Sequence, residues 1–113
     1  MAIAPAAIAP GGVVELKETT SGRFAVQGPL TFATAKRARQ IGLRALRAAN
    51  SRQLEIDCSG IAASDSAGLA VLLDWMAVAK GSGRSLCFRN LPEQLKALAR
   101  ISDVEELLEK GVS

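Results

Sequence analysis

Apolar and polar side chains near the start of the chain follow a pattern that predicts two short strands. Residues 13–17 and 23–27 alternate or cluster apolar positions on either side of the turn-forming residues 18–22. Such a pattern favours an antiparallel hairpin. Gly28 and Pro29 are expected to end the second strand.

The next segment changes to a helical period. Apolar positions recur at helical spacing over residues 31–49, and the helix is expected to end near Asn50. Residues 53–57 then read as a buried strand through Leu54 and Ile56. One helix therefore separates the hairpin from a third strand.

A second helix is expected to begin at Asp65 or Ser66, after a loop over residues 58–64. It stops at the Gly-Ser-Gly of residues 81–83, and residues 85–89 supply a fourth strand.

Two capping boxes predict two further helices. Asn90 with Glu93 opens the first of them, and Ser102 with Glu105 opens a short last helix that ends at Gly111.

The resulting order, ββαβαβαα, defines an α/β domain. Strands that are separated by helices pair in parallel, whereas the first two strands pair as a hairpin. We expect a four-stranded mixed sheet with helices packed mainly against one face, formed by residues 13–110 after a flexible tail of residues 1–12. No uncharged apolar run approaches the roughly 18 residues of a membrane-spanning helix, so direct membrane insertion is not expected.

The 113 residues include no histidine, which removes the usual general base and the commonest zinc ligand. Asp57, Asp65 and Ser66 are left without a base or a metal cluster, so neither an enzyme nor a cofactor or metal is expected. Cys58 and Cys87 cannot build a CxxC motif or a disulfide framework. A reduced, cytoplasmic protein is the simpler interpretation.

Positive charge is concentrated in the first predicted helix. The net charge is only +3, yet no Asp or Glu lies between Thr19 and Leu54. Winding this segment at about 100° per residue places four cations within about a quarter of the helix circumference, with Arg39 to one side. The face is either simply solvated or attracts anionic lipid, an acidic partner or, least well given the lack of aromatic residues, nucleic acid. The four cations are Lys36, Arg37, Arg44 and Arg47.

Candidate chemistry is concentrated at the start of the second helix. Asp65 at the N-cap can accept a hydrogen bond from the backbone N–H of Ala67 or Gly68, and its charge favours the helix dipole. Ser66 then lies in the first turn with its hydroxyl toward solvent, and Gly68 allows another backbone to approach closely. The spacing of these residues alone does not decide between two interpretations, a purely structural helix start and a functional site.

The second helix is apolar nearly all round, interrupted by Asp74. One stripe, Leu69, Leu72, Leu73 and Met76, is expected to cover the sheet. Part of the remaining surface is then expected to form an exposed apolar patch, unless neighbouring helices bury it. Trp75 is either an interface anchor on that patch or a core residue. The candidate patch residues are Ala67, Ala70, Val71, Trp75 and Val78.

The same region resembles a known signature. A strand ending Leu-Glu-Ile-Asp at residues 54–57, a loop with Ser-Gly-Ile at 59–61, and Asp-Ser-Ala-Gly-Leu-Ala at 65–70 look like the signature of STAS domains. That family includes bacterial anti-sigma-factor antagonists and the cytoplasmic tails of sulfate transporters. Residues 88–107 also resemble its final strand and helices, so the resemblance covers roughly residues 13–108.

The sequence departs from the antagonists at two places. Gly-Pro-Leu-Thr-Phe at residues 28–32 replaces their usual acidic stretch, and Ala67 replaces a second hydroxyl residue. It is more similar to Mla-type (MlaB-like) STAS proteins, which attach to the cytoplasmic ATPase of an ABC transporter that moves phospholipid between the inner and outer membranes of Gram-negative bacteria.

The resemblance implies a non-catalytic subunit that regulates this ATPase, serves outer-membrane lipid asymmetry and lies peripheral to the inner membrane through its partner. The alternative implication is an anti-sigma-factor antagonist switched by phosphorylation of Ser66. The expected partner contacts are Asp65, Ser66, Ala67, Gly68, Ala70, Val71 and Trp75.

Overall fold

The computed structural model describes residues 12–111. The predicted tail therefore lies outside the described residues, except for Gly12. The observed order is ββαβαβαα, as the sequence predicts. The elements are β1 (Glu15–Thr20), β2 (Arg23–Leu30), α1 (Ala35–Ala48), β3 (Gln53–Ser64), α2 (Ser66–Gly81), β4 (Ser85–Arg89), α3 (Glu93–Ile101) and α4 (Glu105–Lys110).

The four strands form one mixed sheet in the order β1-β2-β3-β4. β1 and β2 pair antiparallel, and Glu15 lies opposite Gln27. β2 pairs with β3 and β3 with β4 in parallel, because a helix returns the chain between the members of each pair. The predicted mixed sheet is confirmed.

Alternate strand residues are buried, which shows that helices cover one face of the sheet. Leu54 and Ile56 of β3 are buried at 3% and 0% exposure, whereas the intervening Glu55 points to the other face. That second face is polar, and the Arg89 Nε lies 2.7 Å from a Glu55 carboxylate oxygen across two strands. The buried strand positions are Phe24, Val26, Leu30, Leu54, Ile56, Cys58, Ile61, Ser64, Leu86 and Phe88, and Val14 is buried just before β1.

Two predicted strand ends are wrong. β2 runs through Gly28 and Pro29 to Leu30, and residues 58–64 form the second half of β3 rather than a loop. The two extensions pair with each other, since Leu30 lies opposite Ser64. The register between β2 and β3 shifts at this point, and Pro29, which lacks a backbone N–H, pairs with no residue of β3.

The two predicted capping boxes are also wrong. Pro92 is the N-cap of α3 and Val104 that of α4, and neither cap makes a side-chain hydrogen bond. Asn90 has a left-handed backbone with φ of 57°, and its amide donates to the Asp57 carboxylate at 3.1 Å. Ser102 caps the carboxyl end of α3. Both side chains thus lie at turns that precede the helices.

Among the helices of residues 12–111, none combines the length and the apolar character that crossing a membrane requires.

Candidate functional site

The Asp65 carboxylate ties together two segments that are far apart in the sequence. One oxygen accepts a hydrogen bond from the Gly68 backbone N–H at 3.1 Å, which confirms the predicted N-cap of α2. The other oxygen accepts from the Phe32 backbone N–H at 3.0 Å. The start of α2 is therefore fixed against the turn that precedes α1.

That turn, residues 31–34, is stabilised by hydrogen bonds of the Thr34 hydroxyl. Thr34 is only 6% exposed, and its hydroxyl donates to the Pro29 carbonyl oxygen at 2.8 Å. The same hydroxyl oxygen accepts from the Thr31 backbone N–H at 3.0 Å. These bonds place the start of α1 at Ala35, four residues later than the sequence predicts.

The held turn presents an aromatic ring to solvent. Phe32 is 83% exposed, although burial of such a side chain would contribute about 2 kcal/mol. Phe32 was not among the predicted site residues, because it fell inside the helix predicted over residues 31–49. The signal that could have found it is a large apolar side chain that lies outside the apolar stripe of that helix.

Gly68 has a packing role in the structure. It is buried, and a Cβ there would overlap the backbone carbonyl of Leu30. Glycine at this position therefore lets α2 approach the end of β2 closely. Gly68 lies beneath the surface in this structure, so the predicted partner contact of Gly68 stays a prediction, and the residue is left out of the accessible set.

Val71 and Trp75 are core residues. Their exposed fractions are 0% and 1%, and the Trp75 indole N–H donates to the Ala38 carbonyl oxygen at 3.1 Å. The expectation that these two side chains form part of an exposed patch is wrong, because α1 covers that side of α2. The alternative in which a neighbouring helix buries the second side of α2 holds at these positions.

A different stripe of α2 faces outward. Ser66, Asp74 and Ala77 are exposed, and Ala70 and Leu73 between them are half-buried. Ala67 is half-buried beside Ser66. Of the predicted contact residues, the structure therefore leaves Ser66 exposed and Asp65, Ala67 and Ala70 half-buried, and the Asp65 carboxylate binds the Phe32 backbone at the start of α2. We call the four residues Phe32, Ser66, Ala67 and Ala70 the α2 surface.

An apolar groove of about 280 Å³ lies between α1 and α2, beside the C-terminal half of this stripe. An ion pair closes one side of it, with the Arg39 Nε 2.6 Å from an Asp74 carboxylate oxygen. Neither charge was predicted to have a partner, because the two residues lie on different helices. The groove is lined by Arg39, Leu43, Asp74, Trp75, Ala77 and Val78.

The predicted basic face of α1 is present. All four of its cations are exposed, and among residues 12–111 none is in a salt bridge. They are Lys36, Arg37, Arg44 and Arg47.

Two perturbed groups lie away from the α2 surface. Hydrogen bonds from the Ser59 backbone and the Asn90 side chain lower the pKa of the Asp57 carboxyl. Burial, with a smaller effect of Asp57, raises the pKa of the Cys58 thiol to about 12, as expected of a cysteine that packs in the core. Within the described part of the chain, no three His, Cys, Asp or Glu residues are grouped so that they could hold a metal ion.

Several solved structures share the fold, among them the following three. The anti-sigma factor antagonist SpoIIAA in its unphosphorylated form superposes with a TM-score of 0.66 at 14% identity, covering 82% of this chain and 83% of that one. The murine Slc26a9 anion transporter in the inward-facing state gives a TM-score of 0.61 at 23% identity over 77% of this chain. A structure of SLC26A9 gives 0.59 at 18% identity, also over 77% of this chain. The chain spans only 15% and 17% of those two transporter chains.

The family assignment comes from the sequence and not from these superpositions. A family model described as "Mlab, STAS domain" matches residues 15–109, and the chain belongs to this STAS family. STAS domains are generally non-catalytic regulatory domains. None of the curated proteins matches the chain.

Proposed function

We propose that this chain is a non-catalytic STAS subunit that binds and regulates the ATPase of an Mla-type ABC phospholipid transporter. The observation that carries the proposal is the match of residues 15–109 to the Mlab STAS model, combined with an accessible α2 surface. In this proposal the subunit reaches the inner membrane through the ATPase and serves the lipid asymmetry of the outer membrane.

The α2 surface suits protein binding. An exposed aromatic ring supplies apolar area at little cost in conformational entropy, and aromatic residues are enriched among the residues that dominate binding energy. The small side chains of Ala67 and Ala70 allow a partner helix to pack close to the α2 backbone. In this proposal Phe32 is the anchor, and Ala67 and Ala70 are the small residues of α2 against which the partner packs.

The surface is also fixed before binding. The Asp65 carboxylate holds the Phe32 backbone and the first turn of α2 at the same time. Docking of a partner therefore orders few additional groups, so little conformational entropy is lost. A subunit bound only to the folded ATPase raises the stability of that ATPase by mass action, which gives a regulatory effect without any chemistry of its own.

Ser66 places a hydroxyl on this surface, and charge at that position tests the docking site. Glu at the N-terminus of α2 is tolerated by the helix dipole, so a Ser66→Glu domain folds. A charge beside the Asp65 carboxylate brings repulsion and a desolvation cost into an apolar contact. Ser66→Ala only deletes a hydroxyl, with an expected loss of about 1 kcal/mol of binding free energy.

The experiment is affinity purification of the tagged chain from its native host, with the retained proteins identified by mass spectrometry. We expect an ABC transporter ATPase with the wild type, loss of it with Ser66→Glu, and retention with Ser66→Ala. Ser21→Glu adds the same charge in the exposed turn between β1 and β2 and serves as the matched control.

Two outcomes would contradict the proposal. Retention of the ATPase by a folded Ser66→Glu variant would place the interface elsewhere on the domain. Capture of an anti-sigma factor in place of an ATPase would favour the alternative, in which phosphorylation of Ser66 switches an antagonist.

A further inference from the structure

The basic face of α1 groups four exposed cations that have no acidic partner within residues 12–111. Several cations outside this face are paired: Arg23 and Arg89 approach Glu55, Arg39 on the side of α1 approaches Asp74, and Arg100 approaches Glu105. Arg52, Lys80 and Lys96 form no salt bridge within residues 12–111 either, but they belong to different segments of the chain, whereas the four cations of the basic face lie together on one helix. Like charges on one helix face repel each other, so the arrangement costs stability in the isolated domain.

The cations follow the length of the helix. Lys36 and Arg47 are eleven positions apart, which at about 1.5 Å per residue spans roughly 16 Å. An open depression of about 670 Å³ lies along the C-terminal part of α1, lined by Gln40, Leu43, Arg44, Arg47 and Ala48. The charges are thus spread along an exposed face and do not converge on a point.

We infer that this face binds the surface of an anionic phospholipid bilayer. Four or more cations on one face of an amphipathic helix are the usual composition for binding anionic lipid, and long flexible side chains suit a surface whose charges rearrange laterally. Leu43, half-buried at the edge of the face, adds apolar contact at the headgroup level. The inference goes beyond the proposed function and does not depend on the ATPase.

Sedimentation with lipid vesicles tests the inference with the full chain alone. Wild type should sediment with vesicles that contain phosphatidylglycerol at 50 mM salt, stay in solution with phosphatidylcholine vesicles, and be released as salt rises toward 0.5 M. Replacing Lys36, Arg37, Arg44 and Arg47 together by Gln should weaken binding to anionic vesicles by at least about tenfold.

A charge-matched control distinguishes the effect of this face on vesicle binding from the effect of the net charge. Replacing Lys17, Lys80, Lys96 and Lys110 by Gln removes the same four charges from β1, α2, α3 and α4. That variant should bind anionic vesicles within about twofold of wild type. Circular dichroism and thermal melting of both variants confirm that each is folded.

Three results would overturn the inference: no wild-type binding to anionic vesicles, equal binding to neutral vesicles, or equal losses in the two variants. If vesicles are not bound but the α1 variant loses a protein partner at low salt, the occupant of this face is an acidic protein surface. Since the vesicle assay contains no ATPase, its failure leaves the proposed function standing, and loss of the ATPase contact leaves the vesicle result unaffected.

Discussion

The indole N–H of Trp75 on α2 donates to the backbone carbonyl of Ala38 on α1, at a distance of 3.1 Å. The ring is 1% exposed and lies against Gly42, one helical turn further along α1. This contact locks the two helices together over the sheet and sets which side of α2 reaches solvent. The Trp75–Ala38 contact is therefore buried, yet it determines which residues of α2 are accessible in the α2 surface.

Substitution of Gly42 should break this contact. A Cβ at Gly42 would overlap the Trp75 ring, so Gly42→Ala is expected to lower the free energy of unfolding by about 2 kcal/mol, even though alanine is the better helix former. Gly81→Ala at the end of α2 meets no atom within 4 Å and should be neutral or slightly stabilising. Urea unfolding of both variants measures the difference, and equal stabilities would contradict the packing role of Gly42.

Phe32 should contribute binding energy without contributing stability. Because the ring is 83% exposed, Phe32→Ala is expected to leave the melting temperature within about 2 °C of wild type while weakening partner binding by at least about tenfold. Ile101 is also 83% exposed and lies on α3, so Ile101→Ala is the matched control for loss of exposed apolar area. The dissociation constant of each variant is measured by surface plasmon resonance with the purified partner immobilised. Equal losses in the two variants would contradict a local role for Phe32.

Asp65 should couple the start of α2 to the turn before α1. Asp65→Ala removes both hydrogen bonds of the carboxylate and is expected to cost about 2 kcal/mol. Asp65→Asn keeps one acceptor oxygen and should cost about half as much. Amide hydrogen exchange at Phe32 and Gly68 reports each bond separately. If exchange at Phe32 is unchanged in Asp65→Ala, the carboxylate does not hold the turn.

The Asp57 carboxyl should make stability depend on pH in the acid range. Its pKa lies below the ordinary value of 3.8, because the Ser59 N–H at 2.9 Å and the Asn90 amide at 3.1 Å favour the ionised form. The stabilisation is present above that ordinary value and is lost as pH falls through the lower folded pKa. Since the group is well exposed, we expect a small effect.

The measurement for Asp57 is the difference in melting temperature between wild type and Asp57→Asn. It should be larger at pH 7 than at pH 2. A difference that grows toward low pH would contradict the assignment.

Several features of the fold follow from local sequence alone. The hairpin around residues 18–22, the helical period of α1 and the N-cap at Asp65 depend on side chains within a few positions of each other. The basic face of α1 is equally local, because helical geometry places its cations together wherever the helix packs. Gly68 was correctly identified as a close-packing glycine, although its partner, the Leu30 carbonyl, could not be named.

Other features depend on contacts between distant segments. The second half of β3 is a strand because residues 58–64 pair with the end of β2, and nothing local distinguishes that stretch from a loop. The predicted caps at Asn90 and Ser102 failed because short-range capping patterns do not show where a turn ends and its helix begins.

The sequence by itself determined the order of the elements, the STAS signature at residues 65–70 and the charge of α1. Only the tertiary structure decided which side of the almost uniformly apolar α2 is buried, because hydrophobic patterning cannot orient a helix that has no polar face. In the folded domain Val71 and Trp75 are buried, Ser66 is exposed and Ala70 is half-buried. The Asp65 carboxylate then brought Phe32 to that surface from 33 residues away.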